Sequence, residues 1–301
     1  MKQLQKAIYK KESLIGLAYI TPWLIGFLLF TLYPIVASFY LSFTNYDLLN
    51  APVFAGLENF KRLFADKEFL KALWVTGKYV VLVVPLKLAF SLFVAVILNM
   101  NLKGINFFRT AYYIPSILGA NVAIAILWKF LFSTDGLINQ VLGSIHLAPV
   151  SWFGQATPAL FSIALLRVWE FGSTMVIFLA ALKEVPVDLY EAAAVDGSTK
   201  IKNFFKITIP CITPVIFFNF IMQLIHAFQE FNAPYLITSG GPMKGTYLLP
   251  MLIYDHTFKY YNMGYASAMS WILFLIIMIF TLITFRSSKY WVFYNDNGGE
   301  K

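Results

Sequence analysis

The sequence predicts an all-α protein that crosses a membrane six times. The first observation is a series of long runs without any charged residue, at 13–46, 110–128, 136–166, 207–229 and 260–285, with a further run at 79–102 interrupted only by Lys87. A helix needs about 20 apolar residues to cross the hydrocarbon layer, and these runs supply them. The second is composition: 59% hydrophobic, 18% aromatic, 13% charged, mean hydropathy +0.69. Soluble globular chains average about 45–50% apolar and about 25% charged residues. The third is the placing of positive charge, which gathers in alternate loops.

Taken in order, the spans fall at 14–40, 76–98, 110–132, 160–182, 209–229 and 264–285. Before the first come Lys2, Lys6, Lys10 and Lys11. The apolar run after them is too long for a signal-peptide core and offers no small-residue cleavage site, so it is expected to be retained. With the amino terminus inside, the inner segments hold 13 Lys and Arg and the outer segments 6. Positive charge favours the cytoplasmic side, so both termini and the loop at 183–208 are expected there. The organisation expected is a cytoplasmic segment 1–13, a six-span body 14–285 containing the loop 183–208, and a cytoplasmic tail 286–301. After Tyr294 the tail, NDNGGEK, is polar and expected to be disordered. On the outer side, GLENFKRLF at 56–64 carries Leu57, Phe60, Leu63 and Phe64 at helical spacing and predicts a short interfacial helix. Pro22, Pro34, Pro85, Pro115, Pro210 and Pro214 mark positions where span helices kink or break.

The net charge of +8 fits a basic cytoplasmic face against anionic lipid, since the basic residues flank spans; nucleic acid is not an expected partner. Cys211 is the only cysteine, and the three histidines lack ligand spacing, so neither a disulfide framework nor a metal site is expected. No phosphate-binding glycine loop is present, because Gly197-Ser198-Thr199-Lys200 lacks the upstream glycine. Nucleophile-elbow and paired-histidine metalloprotease motifs are also missing. No enzyme is expected, and any driving energy must come from another chain.

The charged island at 191–214, EAAAVDGSTKIKNFFKITIPCITP, interrupts this apolar chain. Asp188-Leu-Tyr-Glu191 fits a capping box and predicts a helix starting at Asp188. Tyr190, Ala194, Gly197, Ile201 and Phe205 recur every three or four residues, and Gly197 predicts a bend between two short helices. A small amphipathic helix–turn–helix of this kind suits a groove on a soluble partner.

Glu191-Ala192-Ala193, three residues, Gly197, nine residues, then Ile207-x-Ile209-Pro210 resembles the EAA loop of membrane subunits of binding-protein-dependent ATP-binding-cassette importers, with Ile209 where leucine is usual. LYPIVASFYLSFTNYD at 32–47, FRTAYYIPSILGANVAIAILWKFLF at 108–132 and LITSGGPMKGTYLLPMLIYDHTF at 236–258 look like carbohydrate permeases of the maltose and glycerol-phosphate type, specifically the maltose-F-like member of the pair. The resemblance runs from about Thr21 to Phe285. It implies the type I importer permease fold in a bacterial-type cell membrane, with a second related permease, a dimer of ATPase subunits and an extracytoplasmic solute-binding protein as partners. ATP and Mg would belong to the ATPase chains, with no cofactor in this one. It also implies ATPase coupling through Glu191, Ala192, Ala193, Asp196, Gly197 and Pro210. The substrate implied is a carbohydrate, an oligosaccharide, with a polyol or glycerol phosphate as the alternative. An ion-coupled secondary transporter is a more distant alternative, since no internal repeat is visible.

Polar residues within spans locate the candidate substrate site, because each is costly in hydrocarbon and faces a cavity or a partner. Arg167, Trp169, Glu170, Ser173 and Thr174 cluster in the fourth span. Asn219, Gln223, His226, Gln229, Glu230 and Asn232 follow in the fifth, with Phe228 and Phe231 interleaved. Amides and carboxylates match sugar hydroxyls, and aromatic rings match sugar C–H faces. Gln229 and Asn232, three apart on one expected helix face, form the leading pair. The segment just before the Gly-Gly-Pro loop also contributes sugar contacts in maltose-type permeases. Trp169, Glu170 and Ser173 are the further candidates. Arg167 and Glu170 also have the spacing of a structural ion pair.

Overall fold

The computed structural model describes residues 2–100, 103–119 and 121–293. These fold into helices and one two-stranded ribbon, and they divide into two compact units. Four helical stretches are long and apolar enough to cross a membrane: Ile15–Ser42, Lys67–Leu98, Lys200–Phe228 and Met263–Trp291. Two further pairs pass the same test only together, Ile105–Leu118 with Val122–Leu131 and Ala156–Trp169 with Gly172–Glu184, and would bring the number to six. All six expected spans therefore have helical counterparts.

The first unit comprises residues 1–65 and 253–272. Helix α1 (Lys2–Phe27) passes through a π-helical turn, Leu28–Leu32, into α2 (Tyr33–Ser42). The wide turn sits where Pro34 requires it. Proline has no N–H for the carbonyl four residues back, and its ring crowds that carbonyl. A short antiparallel ribbon pairs β1 (Thr44–Asn45) with β2 (Val53–Phe54), and α3 (Glu58–Ala65) follows. A helix forms where one was expected, and one of its polar residues anchors it. Asn59 is buried and donates to the carbonyls of Ser42 and Thr44 at 3.0 and 2.9 Å, tying α3 to the end of α2. The Arg62 guanidinium lies 4.3 Å from the ring centre of Tyr265.

The second unit comprises residues 66–252 and 273–301. Helix α4 (Lys67–Leu98) is its axis, capped at the start by the Asp66 carboxylate, which accepts from the Glu68 amide at 2.8 Å. Phe69, Ala72, Thr76, Tyr79, Val83, Lys87, Ser91, Val94 and Leu98 are all buried. They recur every three or four residues, the stripe a helix presents to its neighbours. Those neighbours are α8 (Ala156–Trp169), α9 (Gly172–Glu184) and α12 (Ile209–Phe228). At 32 residues α4 is about 48 Å long, so its ends extend beyond a hydrocarbon layer of about 30 Å.

Two expected spans are not single helices. The third divides into α5 (Ile105–Leu118) and α6 (Val122–Leu131), bent by 103°, with α7 (Leu137–Ser144) after it. The fourth breaks between α8 and α9 with a bend of 48°. Neither break falls at a proline: Pro85, Pro115 and Pro214 lie inside helices. At the α8–α9 joint the structure supplies its own partners. Ser116 Oγ donates to the Glu170 carbonyl (3.2 Å) and accepts from the Ser173 amide (2.9 Å), bonding two backbone groups that the break frees. Broken backbone at membrane depth requires such partners. Gly172 permits the contact, because a Cβ there would stand 2.7 Å from the Tyr112 carbonyl oxygen and 2.8 Å from Ser116 Oγ.

The chain then forms α10 (Val187–Val195), α11 (Lys200–Asn203), a π-helical turn at Phe204–Thr208, and α12. Pro210 stands to this second π turn as Pro34 does to the first. Next come α13 (Asn232–Thr238), α14 (Leu249–Phe258) and α15 (Met263–Trp291), the last two divided between the units. Because α15 continues to Trp291, the expected boundary at 285/286 falls within a helix. The expected disordered stretch after Tyr294 lies outside the described residues.

Candidate functional site

A cavity of about 420 Å³ opens in the second unit, a size typical of small-molecule sites. Its lining is Lys87 from α4, Arg167 and Glu170 at the α8–α9 joint, Ser173 from α9, Gln223 and His226 from α12, Gln229, Glu230 and Phe231 at the α12–α13 joint, and Asn232 from α13. Nine of these ten side chains are polar or charged, within helices that are otherwise strongly apolar. The α8–α9 and α12–α13 joints both contribute, so irregular backbone and the polar cavity coincide there.

Arg167 organises the charges. Its Nε donates to Glu230 Oε2 at 2.6 Å and its Nη2 to Glu230 Oε1 at 2.8 Å, a two-bond fork. Its Nη1 donates to both oxygens of Glu170 at 2.8 and 2.7 Å. Glu230 Oε1 also accepts from the Ala233 amide at 3.0 Å, which fixes the start of α13. Arg167, Glu170 and Glu230 are 15%, 11% and 8% exposed, so this is a buried three-residue network. Such a network holds only while every member keeps its partner. The expected Arg167–Glu170 pair is thus present, but Glu230 makes the stronger, forked contact from 63 residues away.

Among the expected substrate residues, Gln229, Asn232, Glu170 and Ser173 line the cavity together. The reason given for pairing Gln229 with Asn232 does not hold. Helix α12 ends at Phe228 and α13 starts at Asn232, so the two residues lie on either side of a break and are not on one helix face. What brings them together is the joint. Trp169 is not part of the lining; its ring is half-buried, with its centre 6.1 Å from that of Trp128. Phe228 is 3% exposed and packs at a tilt against Phe280, outside the cavity lining, whereas Phe231 lines it and stacks on Tyr235. Gln223 donates to Thr174 Oγ1 at 3.0 Å, joining α12 to α9. The residue missed among the candidates is Lys87. Its signal was present as the one charge in the run 79–102.

The second feature is the exposed helix–turn–helix at 187–203. Helix α10 starts at Val187 with Pro186 in the capping position and no side-chain cap, so the expected capping box from Asp188 to Glu191 does not form. Proline before the first turn already fixes the chain direction there, and Asp188 remains as an acidic residue favourable to the helix start. The bend occurs where it was expected. Gly197 has φ +69°, the Ser198 amide bonds the Ala193 carbonyl (2.9 Å), and the Gly197 amide bonds the Ala194 carbonyl (3.1 Å). This double closure is a Schellman motif. Thr199 then caps α11 through the Lys202 amide. Glu191, Ala192, Asp196 and Gly197 are exposed, Ala193 is half-buried, and Pro210 lies at the start of α12. Val187, Leu189, Val195, Ile201 and Phe205 are 64%, 43%, 90%, 74% and 65% exposed. The loop is held to its own unit by the hydrogen bond between Tyr190 Oη and Thr208 Oγ1 (2.7 Å).

Comparison with known proteins agrees with this architecture. The chain is 48% identical over 291 residues to the probable ABC transporter permease protein YesP of Bacillus subtilis, covering 95% of this chain and 94% of that one. It is 31% identical to the trehalose/maltose transport system permease protein MalF of Thermococcus litoralis, over 93% and 95% of the two chains. In fold it matches a bacterial ABC transporter involved in the import of the acidic polysaccharide alginate, with TM-score 0.81, 23% identity, and coverage of 95% and 98%. The sequence profile of the family described as binding-protein-dependent transport system inner membrane component matches residues 78–291. The chain belongs to that family, as a multi-pass membrane transport component and not an enzyme.

Proposed function

We propose that this chain is one permease subunit of an ATP-driven importer for a carbohydrate, an oligosaccharide, and that the substrate passes through the cavity between α4, α8, α9, α12 and α13. The observation that carries the reading is the cavity itself: polar side chains gathered at two helix breaks, inside helices apolar enough to cross a membrane. Polar side chains in such helices pair with one another or face a cavity. Those here without a side-chain partner among the described residues, Lys87, Gln229 and Asn232, are the ones that favour a polar ligand or a water-filled path. The family membership and the trehalose/maltose relative support the choice of sugar.

In this reading each bent helix pair counts as one span, giving six, with both termini and the 183–208 loop on the cytoplasmic side. A second, related permease completes the pathway. An ATPase dimer, carrying ATP and Mg, docks on Glu191, Ala192, Ala193, Asp196 and Gly197, and Pro210 sets the start of the span that transmits its motion. An extracytoplasmic binding protein delivers the sugar. Closure of the ATPases then opens the cavity outward, giving alternating access.

The test is uptake of radiolabelled glycans by the reconstituted complex with its binding protein. In the double variant Gln229→Ala, Asn232→Ala, uptake should fall about tenfold, from two lost hydrogen bonds of about 0.5–1.5 kcal/mol each. Assembly and ATPase activity stimulated by the binding protein should persist. Normal uptake in that variant places the sugar elsewhere.

A further inference from the structure

From the bonding within the cavity we infer that the transported glycan is acidic, bearing a uronate or similar carboxylate, and that Lys87 is the residue that selects it. This rests on the cavity being the glycan site.

The four charges at the cavity are unequally committed. Every Arg167 nitrogen that carries a proton is bonded to a carboxylate, and both oxygens of Glu170 and of Glu230 are bonded in return. Glu230 has the Ala233 amide besides. A cationic ligand would therefore meet carboxylates already filled. Lys87 is different. It belongs to the buried stripe of α4, is 9% exposed, and lines the cavity, yet its ammonium makes no hydrogen bond or ion pair among the described residues. An ammonium has three donors and no acceptor.

The four charges sum to zero, so the lining by itself carries no net charge. The available bond, however, is a cation's. Neutral hydroxyls are already provided for by Gln229, Asn232 and His226, which also line the cavity. A lysine adds what a carboxylate needs and a hydroxyl does not: a charge-assisted bond, roughly twice as strong as a neutral one. Glu170 and Glu230 attract the Lys87 charge through space but do not bond it; a buried cation without a bonded partner is costly to keep in a span, and an anionic ligand offsets that cost.

The experiment measures direct binding to the nanodisc-reconstituted complex of this chain with its partner permease and ATPase, without the binding protein, so that only the membrane site selects. Two matched pairs serve as probes, α-1,4-linked digalacturonate against α-1,4-linked galactobiose and cellobiouronic acid against cellobiose. Within each pair the members differ by carboxylate in place of hydroxymethyl. The expected result is at least tenfold tighter binding of an acidic member. Lys87→Gln should remove that preference without weakening the neutral member to the same extent, and Lys87→Arg should keep it. Equal binding within both pairs by the wild-type complex overturns the inference while leaving the cavity a sugar site, and needs no variant to fold. A preference that survives in Lys87→Gln overturns the role of Lys87. Binding of no glycan overturns the proposed site and this inference with it.

Discussion

Gly197 offers the most direct test of the exposed loop, because the structure separates two reasons for a side chain to fail there. A Cβ built on Gly197 meets nothing within 4 Å, so crowding inside this chain contributes nothing. The backbone, at φ +69°, is left-handed, and it is held so by the amides of Gly197 and Ser198 closing back on Ala194 and Ala193. An L-residue with a Cβ loses about 1–2 kcal/mol in this region, which is roughly a 5- to 30-fold loss of loops in the bent geometry. Asparagine tolerates the region better, and a β-branched residue tolerates it worst. Co-purification of the ATPase with this chain, and coupled uptake, should therefore fall in the order wild type, Gly197→Asn, Gly197→Ala, Gly197→Val. The reasoning is refuted if Gly197→Val docks and transports normally. If Gly197→Ala is normal and failure follows side-chain size alone, the constraint is crowding by the partner and not backbone conformation.

Three other outcomes are expected. Replacing Arg167 with Met leaves Glu170 and Glu230 buried without their shared partner, and the loss of about 3–5 kcal/mol should appear as sharply lower yield and thermal stability of the complex in a melting assay. Ser116→Ala frees the Ser173 amide and the Glu170 carbonyl at the α8–α9 joint, costing about 1–3 kcal/mol for groups left unsatisfied; an unchanged melting temperature would mean that water replaces the hydroxyl. The purified chain, lacking a nucleotide-binding motif, should not bind ATP in equilibrium dialysis, and stoichiometric binding would refute its role as a subunit energised from outside.

The fold was legible where physics acts locally. Charge-free runs marked the spans because hydrocarbon excludes charge over a fixed thickness, and Gly197 marked the bend because few residues adopt positive φ. The breaks within the third and fourth spans were not legible. Prolines attracted attention, yet Pro85, Pro115 and Pro214 are absorbed within helices, while the joint at Glu170–Phe171 depends on Ser116, which lies 54 residues from Glu170 in sequence. The same limit applies to the site. Polar residues in spans identified Glu170, Ser173, Gln229 and Asn232, but the fork from Arg167 to Glu230 joins two spans and has no local pattern. Lys87 was visible only as an interruption, and its meaning required knowing that it lies on the stripe of α4 that faces α8, α9 and α12. The Asp188–Glu191 capping box failed for the opposite reason: the local pattern was present, but Pro186 had already set where the helix begins.

The charged residues of the cavity divide into Arg167, Glu170 and Glu230, which are bonded to one another, and Lys87, which forms no hydrogen bond or ion pair among the described residues. Glu230 serves structure twice, bonding Arg167 and the first amide of α13 that it reaches, so its loss would unfix the joint on which Gln229 and Asn232 stand. Glu170 is bonded through its side chain to Arg167 and through its carbonyl to Ser116, and its carboxyl group packs where a Cβ on Gly119 would fall, 2.1 Å from Cδ. Removing either acid changes the shape of the site along with its chemistry, so impaired transport in such a variant would not identify a ligand contact. Gln229, Asn232 and Lys87 make no side-chain hydrogen bond to the rest of the described chain, and their substitution leaves that network intact. An effect on transport at those three positions, with the melting temperature unchanged, would separate recognition from architecture.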